Sequence, residues 1–440
     1  LVELKAVSVY WDEAIETMSR EQLEQLQLAR LRETLTRALK APAYAQRFKQ
    51  IGLEPDDIKS LADVRKLPFT TKQDLREYFP YGFLAVPQEE VVRLHHSSGS
   101  TGKAIAVFHT QKDLDNWTDL VARACWMTGM RPTDVFQNMM GYGLFTGGLG
   151  LHYGAEKLGA LVIPASSGNT ERQLYLMQTF GTTAVHILPS YALRLARVAA
   201  EEGIDVHKDL RLTRAFIGAE PHTEATRRKI EEALDLDAYN SYGMSEMCGP
   251  GVAFECPEKA GMHLWEDAYL MELVDPDTDE PVPDGEPGEL VMTTLTREAM
   301  PLIRYRIGDI TKILPGDCPC GRTTRRLDRI TGRTDDMVIV KGVNLFPMQI
   351  ERVLMDTPGV GSNYLIILET KDYMDELVVQ VEVQEEFFTG DLADLERLRS
   401  ELIESLRSDL LVTPVVQLVE PDSLPVTEGK AKRLIDRREK

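Results

Sequence analysis

The sequence predicts an α/β protein: a large N-terminal domain with mainly parallel sheets plus a small β-unit, then a small α+β C-terminal domain joined by a hinge. Three observations carry this expectation. The chain has 440 residues, more than one ordinary core accommodates. From about residue 135, short apolar runs alternate with amphipathic stretches, the βαβα rhythm of a parallel sheet covered by helices. After Arg333 the texture changes to short strands and two helices over roughly 105 residues, enough for a module that folds alone. The expected domains are therefore 1–334 and 335–440.

The elements follow in order. Leu23, Leu26, Leu31, Leu35 and Leu39 recur at helical spacing; Ser19 and Gln22 form a capping box before them, and Pro42 stops the run. This amphipathic helix docks on the body and leaves room for a homodimer. Leu161–Ile163, Ala184–Leu188 and Ala215–Ile217 read as strands. Helices are expected after Asn169, from Tyr191 to near Gly203, and from Thr223 to Leu234. Ala238-Tyr239-Asn240 closes this series. Ligands sit beyond the carboxyl ends of such strands, which directs attention to Gly218, Ala219, Glu220 and Pro221, and to Asn240, Ser241, Tyr242 and Gly243. Residues 268–314 alternate between Pro, Gly and Asp turns, as in a small antiparallel unit. Beyond it come a strand at Met337–Val340, a helix at Phe346–Met355, strands near Leu365–Leu368 and Leu377–Val383, and a long helix around Asp391–Leu410.

Composition narrows the function. Hydrophobic residues are 43% and charged residues 27%, the balance of a globular protein. A formal charge of −20 argues against nucleic acid, whose phosphates select basic surfaces. It leaves ATP open, because backbone N–H groups, Mg²⁺ and a few cations suffice to bind it. No apolar run approaches the ~20 residues that cross a bilayer. The opening Leu1-Val2-Glu3-Leu4-Lys5 has no basic stretch before an apolar core, so the expected location is cytoplasmic, without membrane association.

Ser97, Ser98, Gly99, Ser100, Thr101, Gly102 and Lys103 form the strongest local signal. Hydroxyls and glycines at this density suit an anion cradle, since glycine admits close backbone approach and the hydroxyls donate to phosphate oxygens. The spacing is not that of a Walker A loop. In order along the chain follow Tyr242-Gly243-Met244-Ser245-Glu246, Tyr305-Arg306-Ile307-Gly308-Asp309, Gly332-Arg333-Thr334-Asp335-Asp336 and Pro425-Val426-Thr427-Glu428-Gly429-Lys430. Together with Ser98–Lys103 this set resembles the ordered motifs of adenylate-forming enzymes: acyl-CoA synthetases, peptide-synthetase adenylation domains and luciferases. Within that superfamily, Gly141–Gly148, Ser167–Arg172 and Gly342–Pro347 look like phenylacetate–CoA ligases.

The resemblance implies an AMP-forming acid–thiol ligase acting on an aryl acid (phenylacetate or a close relative), ATP and CoA. It implies that Glu246 holds Mg²⁺ against the phosphates, a task suited to a carboxylate at a strand end. Asp309 would accept hydrogen bonds from both ribose hydroxyls, as an acceptor-only carboxylate can; a structural ion pair with Arg304 or Arg306 is the alternative. Arg333 would add a ribose contact, Tyr242 and the 218–221 turn would enclose the adenine, and Met244 would belong to the nucleotide site. Lys430 would be the catalytic residue, offsetting the charge that builds when a carboxylate attacks the α-phosphorus. Val426 stands where a basic residue often does, which weakens a phosphate role there. Asp335 matches the hinge, about which the module would turn to withdraw Lys430 and present Lys341, Gly342 and Val343 to CoA.

Gly141–Gly150 interleaves glycines with Tyr142, Phe145 and Leu149. Glycines beside aromatics would open a flat slot for the acid's ring, with Tyr142, Gly143, Phe145 and Ala219 as lining; a glycine-rich loop packed close to the sheet is the open alternative. Cys256, His263, Cys318 and Cys320 offer three thiolates and one imidazole, a closed tetrahedral set for structural Zn²⁺. Free thiols beside a pocket histidine are the open alternative. Cys248 reads as packing. Two rival functions also stand: an adenylating enzyme that loads a carrier protein or an amine, and an inactive nucleotide-binding regulator.

Overall fold

The computed structural model describes residues 8–96, 105–144, 146–341, 343–371, 374–387, 392–425 and 433–438. The chain divides into two compact units. The first comprises Leu1–Ser166, Thr182–His186 and Tyr239–Arg329; the second comprises Ser167–Gly181, Ile187–Ala238 and Ile330–Lys440.

In the first unit, the helix Arg20–Ala38 starts where its capping box places it. The Ser19 side chain accepts from the Gln22 N–H, and the Gln22 side chain reaches back to the Ser19 N–H. Leu23, Leu31 and Leu35 are buried, but two of the inward positions are polar: Gln27 and Thr34. Gln27 is satisfied there, its amide donating to the Glu266 carbonyl at 2.8 Å. Pro42 does more than end this helix. It occupies the first turn of another, Pro42–Ile51, where a missing N–H costs nothing.

Strand Val135–Asn138 lies between Leu161–Ile163 and Ala184–Ile187, both parallel to it. This confirms the parallel sheet. Tyr242 and Ser241 then pair antiparallel with Ala253–Glu255, which continues through Met262–Leu264 and Arg326–Leu327 to Ile313–Leu314. The expected antiparallel unit is present as Tyr269–Val274, Gly288–Thr294 and Tyr305–Thr311.

One expectation is corrected. Residues 146–150 are not a glycine-rich loop but the first turns of a helix, Thr146–Leu158. Gly150 and Gly154 serve close packing on the helix Gln111–Met127. A Cβ on Gly150 would stand 2.6 Å from the Trp117 ring, and one on Gly154 would stand 2.4 Å from Val121. Helix propensity, which disfavours glycine, loses to this tertiary requirement.

In the second unit, helices Thr170–Phe180, Pro189–Glu201 and Glu224–Leu234 accompany strand Arg214–Gly218. The C-terminal portion begins with a hairpin, Val338–Val340 with Val343–Leu345. Its four-stranded sheet has Val360–Lys371 and Met374–Val383 antiparallel at the centre. Parallel outer strands Leu434–Asp436 and Val415–Val419 flank them. Helices Pro347–Asp356 and Leu392–Leu410 bury Ile350, Leu354, Leu402 and Leu406 against Ile366, Leu368 and Val379. Within this unit Glu351 is buried, accepting from the Tyr364 hydroxyl at 2.6 Å and the Thr226 hydroxyl at 3.3 Å. Burial raises its carboxyl above the ordinary range. Among the described residues, no helix is long and apolar enough to cross a membrane.

Candidate active site

Two five-residue motifs of the first unit, each opening on a tyrosine and closing on an acid, are cross-linked by those residues. Tyr242 Oη donates to Asp309 Oδ2 at 2.5 Å, and Tyr305 Oη donates to Glu246 Oε1 at 3.0 Å. Local structure places them. Tyr242 ends strand Asp237–Tyr242, and Glu246 sits in the short 3₁₀ turn Ser245–Met247 that follows. Tyr305 opens the strand Tyr305–Thr311, and Asp309 lies four residues further along it. Both carboxylates are buried, with Asp309 6% and Glu246 8% exposed.

The turn carrying Glu246 is held from behind. Arg297 donates to the Glu246 carbonyl at 2.6 Å and to the Phe108 carbonyl at 2.9 Å, while Tyr269 Oη reaches the Met247 carbonyl at 2.6 Å. Gly243 has to be glycine, since a Cβ there would lie 2.6 Å from the Gly249 Cα. Neither Arg304 nor Arg306 is committed to Asp309. Arg304 forks onto Glu272 at 3.0 Å, and Arg306 binds Glu289 and Asp279. Asn240 donates its backbone N–H to Glu255 at 2.7 Å. Cys248 is buried, and burial pushes its thiol up to about 11, as suits packing.

Tyr142, expected to line the slot for the acid's ring, carries its hydroxyl in a polar cluster. Asn138 Nδ2 donates to Tyr142 Oη at 2.9 Å and to the Gly148 carbonyl at 2.6 Å. Tyr142 Oη also lies 3.1 Å from His152 Nδ1, and His186 Nδ1 lies 3.2 Å from Asn138 Oδ1. Burial, opposed in part by the Asn138 contact, raises the Tyr142 phenol to about 12. Gly143, at φ +104, has open space where a side chain would stand.

In the second unit, Ala219 adopts φ +65, a left-handed conformation disfavoured for alanine, immediately after strand Arg214–Gly218. Glu220, next to it, accepts from the Ser190 N–H at 2.6 Å. Arg333 is paired with Asp335 at 2.8 Å, and Lys341 is exposed at φ +52. The loop Ser97–Lys103, Phe145, Gly342 and Lys430 lie outside the described residues.

The cysteine and histidine set converges. One donor atom from each of Cys256, His263, Cys318 and Cys320 falls within 4.8 Å of the others. Cys256 Sγ is 3.6 Å from Cys318 Sγ, and Cys320 Sγ is 3.3 Å from His263 Nε2. His263 Nδ1 lies 3.0 Å from Thr324 Oγ1, which turns Nε2 towards the sulfurs. The Cys256 thiol and His263 hold Cys320 far below the ordinary thiol range, and the same Cys320 contact raises Cys256. A thiolate in contact with an imidazole is the donor chemistry a soft divalent cation takes.

Sequence reasoning had not singled out Arg297, Asn138, His152 or Thr324. None stands in a recognisable pattern; Arg297 and Thr324 act on residues distant in the chain, whereas Asn138 and His152 meet Tyr142 from nearby positions. Tyr305 opened a motif already recognised, and only its hydroxyl's partner was hidden.

Comparison with known proteins bears on these geometries. Residues 21–296 match the family described as AMP-binding enzyme, and residues 342–438 match the AMP-binding enzyme C-terminal domain. A phenylacetate–coenzyme A ligase of Aromatoleum evansii is 46% identical over 432 residues, covering 97% of each chain. One of Escherichia coli (strain K12) is 44% identical over 426 residues, 96% of this chain and 97% of that one. The crystal structure of a 2-hydroxyisobutyryl-CoA ligase in the postadenylation state, bound to R3-HIB-AMP, superposes with a TM-score of 0.92 at 32% identity. That match covers 98% of this chain and 93% of that one. With this identity over nearly its whole length, the chain belongs to the phenylacetate–coenzyme A ligase family of AMP-binding enzymes.

Proposed function

We propose that this chain converts phenylacetate or a close aryl acid, ATP and CoA into the aryl-CoA thioester, AMP and pyrophosphate. The acid's carboxylate attacks the α-phosphorus of ATP, pyrophosphate leaves, and the CoA thiol then displaces AMP from the acyl-adenylate. The observation that supports it best is the reciprocal Tyr–carboxylate cross-link. It fixes two buried acids at the end of a strand, where nucleotides bind in such sheets.

In this reading Asp309 receives the ribose hydroxyls, Arg333 adds a ribose contact, Tyr242 and the 218–221 turn face the adenine, and Met244 belongs to the nucleotide site. Ser97–Lys103 cradle the phosphates. Mg²⁺ neutralises phosphate charge when bound, and Glu246, a buried carboxylate already oriented by Tyr305, fits as its protein ligand. Lys430 offsets the charge that develops between the reacting anions. The C-terminal domain, residues 335–440, turns about Asp335 between half-reactions and brings Lys341 and Gly342 to CoA. The aryl ring rests near Tyr142, Gly143, Phe145 and Ala219. Cys256, His263, Cys318 and Cys320 hold a structural Zn²⁺, since all four positions of a tetrahedral site are filled by protein.

The test is AMP release from MgATP with phenylacetate, benzoate, indoleacetate, acetate and octanoate, with and without CoA. CoA-dependent turnover on arylacetates is the expected result. Turnover indifferent to CoA would transfer the acyl group to a carrier protein or amine, and silence with every acid would favour a nucleotide-binding regulator.

A further inference from the structure

Resting on the assignment of Cys256, His263, Cys318 and Cys320 to a zinc ion, we infer that the metal is the clasp for the N-terminal segment, residues 8–20. The excursion between strands Ile313–Leu314 and Arg326–Leu327 supplies two of the four donors, Cys318 and Cys320. Residues 315–325 have no helix or strand of their own. A stretch of this kind has little but side-chain ties to order it, and a coordinated metal closes it at two points.

That same excursion receives the N-terminal segment. Arg322, two residues after Cys320, is buried and paired through Nε with Glu16 Oε2 at 2.6 Å. Glu16 is itself 1% exposed, and its other oxygen caps the Trp11 and Asp12 N–H groups at 2.7 and 2.8 Å. Arg322 also donates to the Val9 carbonyl at 2.9 Å. Thr323 donates its N–H to the Glu16 carbonyl at 3.1 Å and its hydroxyl to the Met18 carbonyl at 2.6 Å. Arg20 reaches the Thr323 carbonyl at 3.1 Å and forks onto Glu266, three residues after His263. Gly321 makes room for the contact, since a Cβ there would lie 2.4 Å from Tyr10 Oη.

A buried ion pair is costly unless its geometry is maintained, so Glu16 and Arg322 need residues 318–325 in one conformation. The geometry of the centre maintains it. Cys318 and Cys320 anchor the excursion on one side, and Thr324, bound to the His263 ring, anchors it on the other. Three thiolates and one imidazole select zinc among the common divalent cations. Trp11 and Ser8 also contact Asp119 and Trp126, which lie outside the excursion. Losing the metal therefore loosens residues 9–20 where they meet the excursion and leaves the sheet intact.

The experiment uses the full chain expressed with zinc in the medium. Metal content is measured by atomic emission, and backbone amide exchange is followed by mass spectrometry before and after stripping with a dicarboxypyridine chelator. The expected result is about one zinc per chain. Stripping should accelerate exchange in residues 9–20 by about tenfold or more, leave Val135–Asn138 protected, and be reversed by added zinc. Glu16→Gln should release the same residues with the zinc retained, and Cys320→Ser should lose zinc and release them together. A chain that binds no zinc would overturn the metal centre itself. Zinc that comes and goes with residues 9–20 unchanged would overturn the clasp alone, as would loss of protection throughout the chain or a Glu16→Gln protein indistinguishable from the parent.

Discussion

Tyr305 donates its hydroxyl to Glu246 at 3.0 Å across 59 positions of sequence, while Tyr242, four residues before that glutamate, donates to Asp309, four residues after that tyrosine. Each motif thus orients the acid of the other. Neither carboxylate can turn without breaking a bond to a residue whose own position depends on the partner motif.

The first expectation concerns this exchange. Tyr305→Phe removes the donor to Glu246 and should lower kcat/KM for MgATP by about tenfold or more, the range of a hydrogen bond to a charged group. The loss should be recovered in part by raising Mg²⁺. Tyr242→Phe frees Asp309 and should act mainly on KM for ATP. Steady-state AMP release over a grid of ATP and Mg²⁺ concentrations separates the two, and identical kinetic signatures would show that the exchange has no division of labour.

Lys430→Ala should reduce acyl-adenylate formation by about a hundredfold or more while sparing thioester formation from supplied phenylacetyl-adenylate. Asp335→Pro should do the reverse, because a fixed φ at the hinge hinders the turn of the C-terminal domain. Pyrophosphate release and thioester formation are measured separately on each variant. Equal loss in both half-reactions for either substitution would remove that residue from its assigned step.

Gly150→Ala gains helix propensity on the order of 1 kcal/mol. It also drives a methyl group to 2.6 Å from the Trp117 ring and 3.0 Å from Pro250. Overpacking of this kind costs about 1–3 kcal/mol, so the net effect should be destabilising. A urea melt followed by the Trp117 environment checks the sign, and a stabilised variant would show that the two helices can spread at little cost.

Burial holds the His186 imidazole at about 3, against 6.5 for the ordinary side chain. The folded state is then the poorer proton binder, so His186 contributes stability above its unfolded pKa and loses it as pH falls from about 6.5 towards 3. The slope approaches ~1.4 kcal/mol per pH unit. His186→Gln keeps a polar partner for Asn138 without the titration. Between about pH 7.5 and about pH 5 the parent should lose on the order of 2 kcal/mol more than the variant in denaturant unfolding. Parallel losses in both proteins would move the acid sensitivity to another group.

Much of this molecule is decided along the chain itself. The Ser19 and Gln22 cap and the apolar runs at 161–163, 184–188 and 215–217 specify elements whose ends agree with the structure to within a few residues. Capping hydrogen bonds and side-chain periodicity are local interactions, and local interactions are written in local sequence. The signature acids were legible for a related reason: phosphate and ribose chemistry restricts the residue types that serve it, so the motifs stand out against their surroundings. Tertiary structure alone decided three matters. It made Gly147–Gly154 helical, because the space left by Trp117 and Val121 outweighs glycine's own preference. It brought Tyr305 to Glu246 and Tyr242 to Asp309, since a hydroxyl's partner depends on which strands lie side by side. And it gathered Cys256, His263, Cys318 and Cys320 within 4.8 Å, a convergence that irregular spacing cannot specify and that follows from strand Arg326–Leu327 pairing with Met262–Leu264.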